Sequence, residues 1–388
     1  MNSRTSLTLS LFNLMLNSGA YRFVFALKNM NGFISEFGLT YKQTCLLFSL
    51  ERQIIVNDII NTKANNKPEE AIRKQTWLDA WTDNINNFLE GLNKKEKKNE
   101  ECECPAPSSK PDIAKIDNNN LLEELLQEEN SVSIKAWRYL ILLECTLFTP
   151  YYTLDNKEIN NENFIDKVKN IFNGLSLNEE TQKNSLVNIA ELLEIDFKYI
   201  DIFRKRYQES LRSLSGFWTR VLLSGGTGMI VAVALALFFI NPIAATFAAP
   251  GLVGAAAFSA GMAALGGGAI IAGGFGVAGG IAVLVGGALL LGGSTGMGIG
   301  ALASATPQIV LTELAKIEVV LKEIVLGIQH DVKIMQEIIL KLNDNLTEMQ
   351  REVVVLKLEN EKNKEKIKNL EEAIEYLTKA IDEFQKLK

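Results

Sequence analysis

The sequence predicts an all-α protein, and three observations carry that reading. Apolar residues recur at spacings of three and four through the charged parts of the chain, the mark of one-sided helices. Residues 221–312, a run of 92, contain no Asp, Glu, Lys or Arg, and 21 of the 28 glycines fall inside it. From Leu321 to Phe384 apolar positions alternate steps of four and three, which is a heptad repeat. A soluble core alternates buried and wetted faces, so an uncharged run of this length argues for membrane helices.

Composition narrows the chemistry. The net charge is −6, without a dominant basic face, which argues against a nucleic-acid partner. His330 is the only histidine, leaving little for His-centred catalysis or a multi-histidine metal site. Of the four cysteines, Cys45, Cys102, Cys104 and Cys145, only the ECECP pair are close in sequence. A single C-x-C without a second pair is a poor zinc signal, so unpaired thiols in a reducing compartment are expected. No cofactor, metal or catalytic residue is predicted.

Residues 1–93 are expected to form an N-terminal helical bundle. Arg4 and SLTLSLFNLML, followed by Ser18-Gly19-Ala20, loosely fit a secretory leader. Thr8, Ser10 and Asn13 weaken that fit, while Leu7, Leu11, Leu14 and Met15 also suit a first helix. Leu46, Leu47, Leu50, Ile54, Ile55 and Ile59 define one helix face. Trp77, Trp81, Ile85, Phe88 and Leu89 define another, expected to be core, with Gly91 as its stop. Residues 94–119 combine charges, prolines and serines and read as a flexible linker.

Residues 120–220 are expected to be a second helical domain. Leu121, Leu122, Leu125 and Leu126 start it, Trp137, Leu140, Ile141 and Leu143 continue it, and Thr149-Pro150 breaks it. Ser176 and Glu179 fit a capping box. Leu186 to Tyr207 is one apolar-periodic segment that includes Phe197. Asp155-Asn156-Lys157-Glu158 lacks the glycine and distal glutamate of a calcium loop and reads as a solvated turn.

Residues 221–306 form the predicted Gly/Ala-rich membrane region. Residues 221–240 alone would span about 30 Å as a helix, the thickness of a hydrocarbon core. Ile243–Leu265 and Ala269–Leu291 are further apolar stretches, so two, three or four crossings fit the length. Gly276 and Gly280, and Gly292, Gly296 and Gly300, stand four apart, a spacing that lets helix backbones approach closely in lipid. Trp218, Arg220 and Arg212 are the predicted membrane-edge anchors, and the basic residues there place this edge on the cytoplasmic face.

Residues 307–388 are expected to be a coiled-coil helix or a helical hairpin. Its seam includes Leu342, Leu346, Met349, Val353, Leu370 and Leu377. One straight helix would extend about 95 Å. Asn360 and Asn363 interrupt the apolar positions, and Gly327 and Asn343-Asp344-Asn345 are other candidate breaks.

Two enzyme-like motifs carry no enzyme prediction. Gly274-Phe275-Gly276-Val277-Ala278-Gly279 matches a dinucleotide fingerprint, but no acidic residue follows until Glu313. Gly292-Gly293-Ser294-Thr295-Gly296 matches a nucleophile elbow, but it lacks the strand–turn–helix setting and a triad in chain order.

The segment SGFWTRVLLSGGTGMIVAVALALFF, with Ala249-Pro250 and GGGAIIAGGFGVAGG, resembles the membrane region of the transmembrane and coiled-coil domain family. The resemblance covers roughly residues 185–300 and implies a helical region leading through Phe217-Trp218-Thr219-Arg220 into hydrophobic helices. That family continues into an α/β-hydrolase domain where this chain has a heptad repeat, so no hydrolase activity is implied. The overall plan is similar to α-helical pore-forming toxins and to bacterial membrane effectors of anti-phage defence.

The expected function is non-enzymatic: an effector that inserts into a bacterial cell membrane, oligomerises and permeabilises it, with cytoplasmic soluble domains. Its expected partners are the lipid bilayer, further copies joined through the coiled coil, and a protein trigger. The alternatives are a secreted pore-forming toxin and a non-permeating scaffold or tether.

Overall fold

The computed structural model describes residues 39–99, 111–128, 136–151, 174–215, 307–359 and 364–387. Among the described residues the secondary structure is helical and no strand occurs, so the fold is all-α. In chain order the helices are α1 (Tyr41–Ala64), α2 (Pro68–Asn99), α3 (Asn118–Glu128), α4 (Ala136–Leu147), α5 (Glu179–Leu192), α6 (Lys198–Ser215), α7 (Pro307–Val319), α8 (Val332–Glu359) and α9 (Lys364–Gln385). A 3₁₀ turn at Ile113–Lys115 precedes α3, and a π segment at Val320–Gln329 continues α7.

Helix α1 is the hub, packing on α2, α3, α4 and α5. Thr40 starts it with a reciprocal cap: its hydroxyl accepts from the Gln43 N–H at 3.3 Å, and the Gln43 side chain accepts from the Thr40 N–H at 2.9 Å. The predicted stripe from Leu46 to Ile59 is buried. On α2, Trp77 and Trp81 stack at 5.9 Å, and Phe48 meets Trp81 and Phe88 edge-on. The aromatic stripe is therefore core. Gly91 does not stop α2, which continues to Asn99; the Lys- and Glu-rich residues that follow are good helix formers.

The expected linker is also structured at its distal end. Ile113 is buried, its N–H donates to Asn86 Oδ1 at 3.0 Å, and α3 begins at Asn118. The anchor is one apolar residue in a polar stretch, too little to show as a period. Residues 100–110 lie outside the described residues.

The predicted segment from Leu186 to Tyr207 is two helices. The chain turns at Glu194, whose φ of 55° is left-handed, and Phe197 is exposed rather than core. Asn178, not Ser176, caps α5, accepting from the Thr181 N–H at 2.9 Å. An Asn directly before the first turn is as good a cap as Ser, so the Ser–Glu spacing misplaced the start by two residues.

The heptad does not run as one straight helix. Its first residues lie in the π segment, where a Cβ on Gly327 would meet the Lys322 carbonyl oxygen at 3.0 Å. His330 ends that segment with a left-handed φ of 55°, and Asp331 donates back to the Val325 carbonyl at 3.0 Å. Helix α8 then runs unbroken through Asn343-Asp344-Asn345. Helices α8 and α9 pack on each other, and α9 also packs on α7 and α6. Leu342, Met349, Val353, Leu370 and Leu377 are buried and Leu346 is half-buried, all within this one chain.

Candidate functional site

The helices on either side of the uncharged run meet. Helix α6 ends at Ser215 and α7 starts at Pro307, and the two pack along their length. Arg206 pairs with Glu323 at 2.6 Å, and the Ser210 hydroxyl donates to Glu318. Rising numbers on α6 thus meet falling numbers on α7 and the π segment, so the two are antiparallel. The chain leaves α6 and re-enters α7 at the same end of the helical body.

This bracket is tied to the rest of the body by buried charge. Lys316, on the α7 face turned inward, lies 3.1 Å from Glu144 of α4 and 3.2 Å from Glu313. Glu51 of α1 belongs to the same cluster, and both Glu51 and Glu144 are fully buried. Neither Glu51 carboxylate oxygen has a hydrogen-bond partner, nor has Glu313 Oε2. Two carboxylates thus pair with one buried ammonium, and a third, Glu51, is buried within its electrostatic reach.

The electrostatics follow from that count. Burial pushes Glu51 far above the ordinary carboxylate range; the Glu144 charge adds to this and Lys316 opposes it. Burial pushes Glu144 up to about 7, with Lys316 opposing and Glu313 adding. Glu313 is raised by burial against the pull of Lys316. Burial alone would lower Lys316, but Glu144 and Glu313 outweigh it and hold its ammonium charged. Burial also raises Tyr207 of α6 and, with help from Glu51 and Glu144, the Cys145 thiol.

A second buried network sits between α1 and α2. Lys74 donates to Asp58 at 2.7 Å, Glu70 at 3.2 Å and Thr62 Oγ1 at 3.0 Å. Asp58 also accepts from the Tyr151 hydroxyl at 2.5 Å and from the Asn178 N–H at 3.0 Å. Its donors and acceptors match, which is what a structural tie requires.

The residues predicted from sequence divide sharply. Gly276, Gly280, Gly292, Gly296, Gly300, Trp218 and Arg220 lie outside the described residues, as do Cys102, Cys104 and residues 1–38. Arg212 stands exposed on α6, toward the end from which the run departs. The seam residues come together, inside the chain. Among the described residues no helix is long and apolar enough to cross a membrane, and no group of three His, Cys, Asp or Glu side chains is arranged to hold a metal ion.

The buried charges were missed, though a signal existed. Leu47, Glu51, Ile54, Asp58 and Thr62 follow one another at steps of four, three, four and four, so Glu51 and Asp58 share the apolar stripe of α1. Glu144 likewise stands in the otherwise uncharged ILLECTL. Comparisons with protein-family models, curated proteins and solved structures find no match to this chain.

Proposed function

We propose that the chain is a membrane-inserting effector: a helical body that delivers the uncharged run to a bacterial membrane and permeabilises it, with anti-phage defence as the setting. One observation carries this reading. The chain leaves α6 at Ser215 and re-enters α7 at Pro307 at the same end of the body, because α6 and α7 are antiparallel. A run held this way enters lipid as an even number of crossings, two or four, and leaves the body on one side. On this reading the edge near Arg212 and Arg220, expected to be cytoplasmic, also receives the return of the run.

Self-association is part of this reading, and it falls to the membrane helices. Leu342, Met349, Val353, Leu370 and Leu377 are buried within this one chain, whereas Gly276 and Gly280, and Gly292, Gly296 and Gly300, have the spacing for close helix approach. A pore so built is lined by backbone, Ser294, Thr295 and small side chains, and is weakly ion-selective.

Induced expression with fractionation and a membrane-potential dye tests it. Wild type should sediment with membranes and collapse the potential. Gly228→Arg or Val283→Arg should impair insertion, since an arginine at a membrane centre costs about 2.5–3.5 kcal/mol on insertion scales. Replacing Gly276, Gly280 and Gly296 together by Leu should leave insertion intact and abolish the collapse. A wild type that inserts without collapsing the potential would make the chain a tether, and one that never meets lipid would remove the membrane reading.

A further inference from the structure

We propose that Glu51, Glu144 and Glu313 around Lys316 form a proton-binding site that latches the α6–α7 bracket: the bracket is held while the site carries its protons and loosened when they leave.

The charge count is the first support. Four buried groups from three helices act on one another: Glu144 from α4 and Glu313 and Lys316 from α7 by direct pairing, and Glu51 from α1 electrostatically. Fully ionised, they would hold a net charge of −2 in an apolar interior, which is strongly unfavourable. With protons on Glu51 and Glu144, only the Lys316–Glu313 pair at 3.2 Å stays charged, and the cluster is neutral.

The second support is independent of that count. Glu51 is completely buried, and neither of its carboxylate oxygens accepts a hydrogen bond. A carboxylate so placed has no donor to hold its charge, so the group resides there as the neutral acid. The proton is the ligand that its environment demands.

The third is location. The other groups acting on the cluster are Cys145 of α4 and Tyr207 of α6, both buried and neutral. Nearby charges are already matched: Glu318 holds Ser210 and Lys322, Glu323 holds Arg206, and on α9 the Tyr376 hydroxyl donates to Glu372. The cluster therefore ties α4 to α7 through the Glu144–Lys316 pair and sets Glu51 of α1 within its electrostatic reach, while α7 packs on α6 and α9.

The direction of the response is fixed. In the closed body Glu144 titrates near 7, and in an opened one it returns toward 4.5. Between those two values the closed state keeps a proton that the opened state has lost, so closure is favoured at acid pH, weakens as pH rises from about 4.5 to about 7, and gains no further slope from Glu144 above that. Within that window the proton lost on opening shifts the opening equilibrium roughly tenfold per pH unit.

Hydrogen exchange on the full chain in detergent micelles tests this, with rates corrected for intrinsic exchange. Between pH 5.5 and 6.5, inside the Glu144 window, protection of α7 should fall by about tenfold or more, with protection of α2 measured alongside as the comparison. Glu144→Gln should flatten the α7 slope. Glu51→Gln, which removes no hydrogen bond, should extend α7 protection at the alkaline end and remains informative if Glu144→Gln fails to fold. A flat wild-type profile, or equal slopes in wild type and both variants, would overturn the latch. The latch rests on the helical body and not on the membrane reading, so a failed potential assay leaves it standing.

Discussion

Two buried lysines, each among carboxylates, are built in opposite ways. Lys74 has three N–H donors and three acceptors, Asp58, Glu70 and Thr62, and Asp58 takes two further donors from Tyr151 and Asn178. Every strong group is matched, and Glu70 reaches solvent. Lys316 instead faces Glu144 and Glu313 with Glu51 behind them, and three carboxylate oxygens are left without a donor. Where donors and acceptors balance, a buried ion pair acts as a fixed tie. Where acceptors outnumber donors, the deficit must be made up by protons, and the tie becomes sensitive to pH.

Removing each cation breaks the comparison most severely. Lys316→Met leaves Glu144 and Glu313 buried without a counter-charge. Breaking a buried pair from one side costs about 3–5 kcal/mol. Lys74→Met should cost less, because Asp58 keeps the Tyr151 hydroxyl and the Asn178 N–H. Urea unfolding of the full chain in micelles at pH 8 measures both. The Lys316→Met deficit should shrink at pH 5, where the carboxylates are neutralised and the cation has less to balance. Equal midpoints for the two variants would mean that the surplus of carboxylates around Lys316 has no energetic weight.

A smaller effect is expected from Tyr151→Phe, which tests whether the balanced network is as tight as its geometry. The variant removes one donor from the buried Asp58 carboxylate and keeps the ring that packs edge-on against Trp77 at 5.4 Å. Hydrogen bonds to charged groups contribute about 1.5–3 kcal/mol, so the midpoint should fall by that amount with the denaturant slope unchanged. Tyr151 also holds a left-handed φ of 72°, a backbone state that the side-chain anchor helps to fix. A midpoint unmoved by the loss would show that Lys74 and Asn178 alone suffice for Asp58.

The contrast between the networks also marks how far the sequence could be read. Stripes such as Leu46–Ile59 and Trp77–Leu89 were legible because burial of apolar faces leaves a helical period, and the all-α class followed from it. Turns set by single residues were not. Glu194 and His330 both take left-handed φ without being glycine, so the Leu186–Tyr207 segment looked continuous, and the heptad's candidate breaks were named at Gly327 and the Asn positions rather than at His330. The heptad could not tell a straight helix from a hairpin, because α8 against α9 satisfies the same seam positions. Neither buried network was predicted. A charged residue is almost never fully buried unless paired, and the partners here are far apart in sequence: Glu144 and Lys316 are separated by 172 residues. What the sequence did offer was placement, with Glu51 and Asp58 on an apolar stripe, and that placement distinguishes a buried charge from a solvated one.

The smallest effect, with the opposite sign, is expected at Glu51. Its oxygens make no hydrogen bond, so truncation strands no partner, in contrast to Asp58, which Lys74, Tyr151 and Asn178 contact directly. Leu is close to Glu in volume and suits the surroundings of Leu47, Leu50, Ile54 and Ile55 on α1. Replacing a buried charged group by a well-packed apolar one is often neutral or stabilising by about 1–4 kcal/mol, and Glu51→Leu should fall at the low end because Glu51 is already neutral. The gain should grow as pH rises above the ordinary carboxylate range, because Glu51 loses its proton in the unfolded wild type while burial holds it neutral in the folded one, and the variant carries no such penalty. The corresponding change in the balanced network, Asp58→Leu, should be strongly destabilising across the same range, because it strands Lys74. Parallel urea titrations of the two variants decide the matter: a Glu51→Leu protein that is destabilised at every pH would mean that Glu51 is held by contacts of its own, and the two networks would no longer differ in kind.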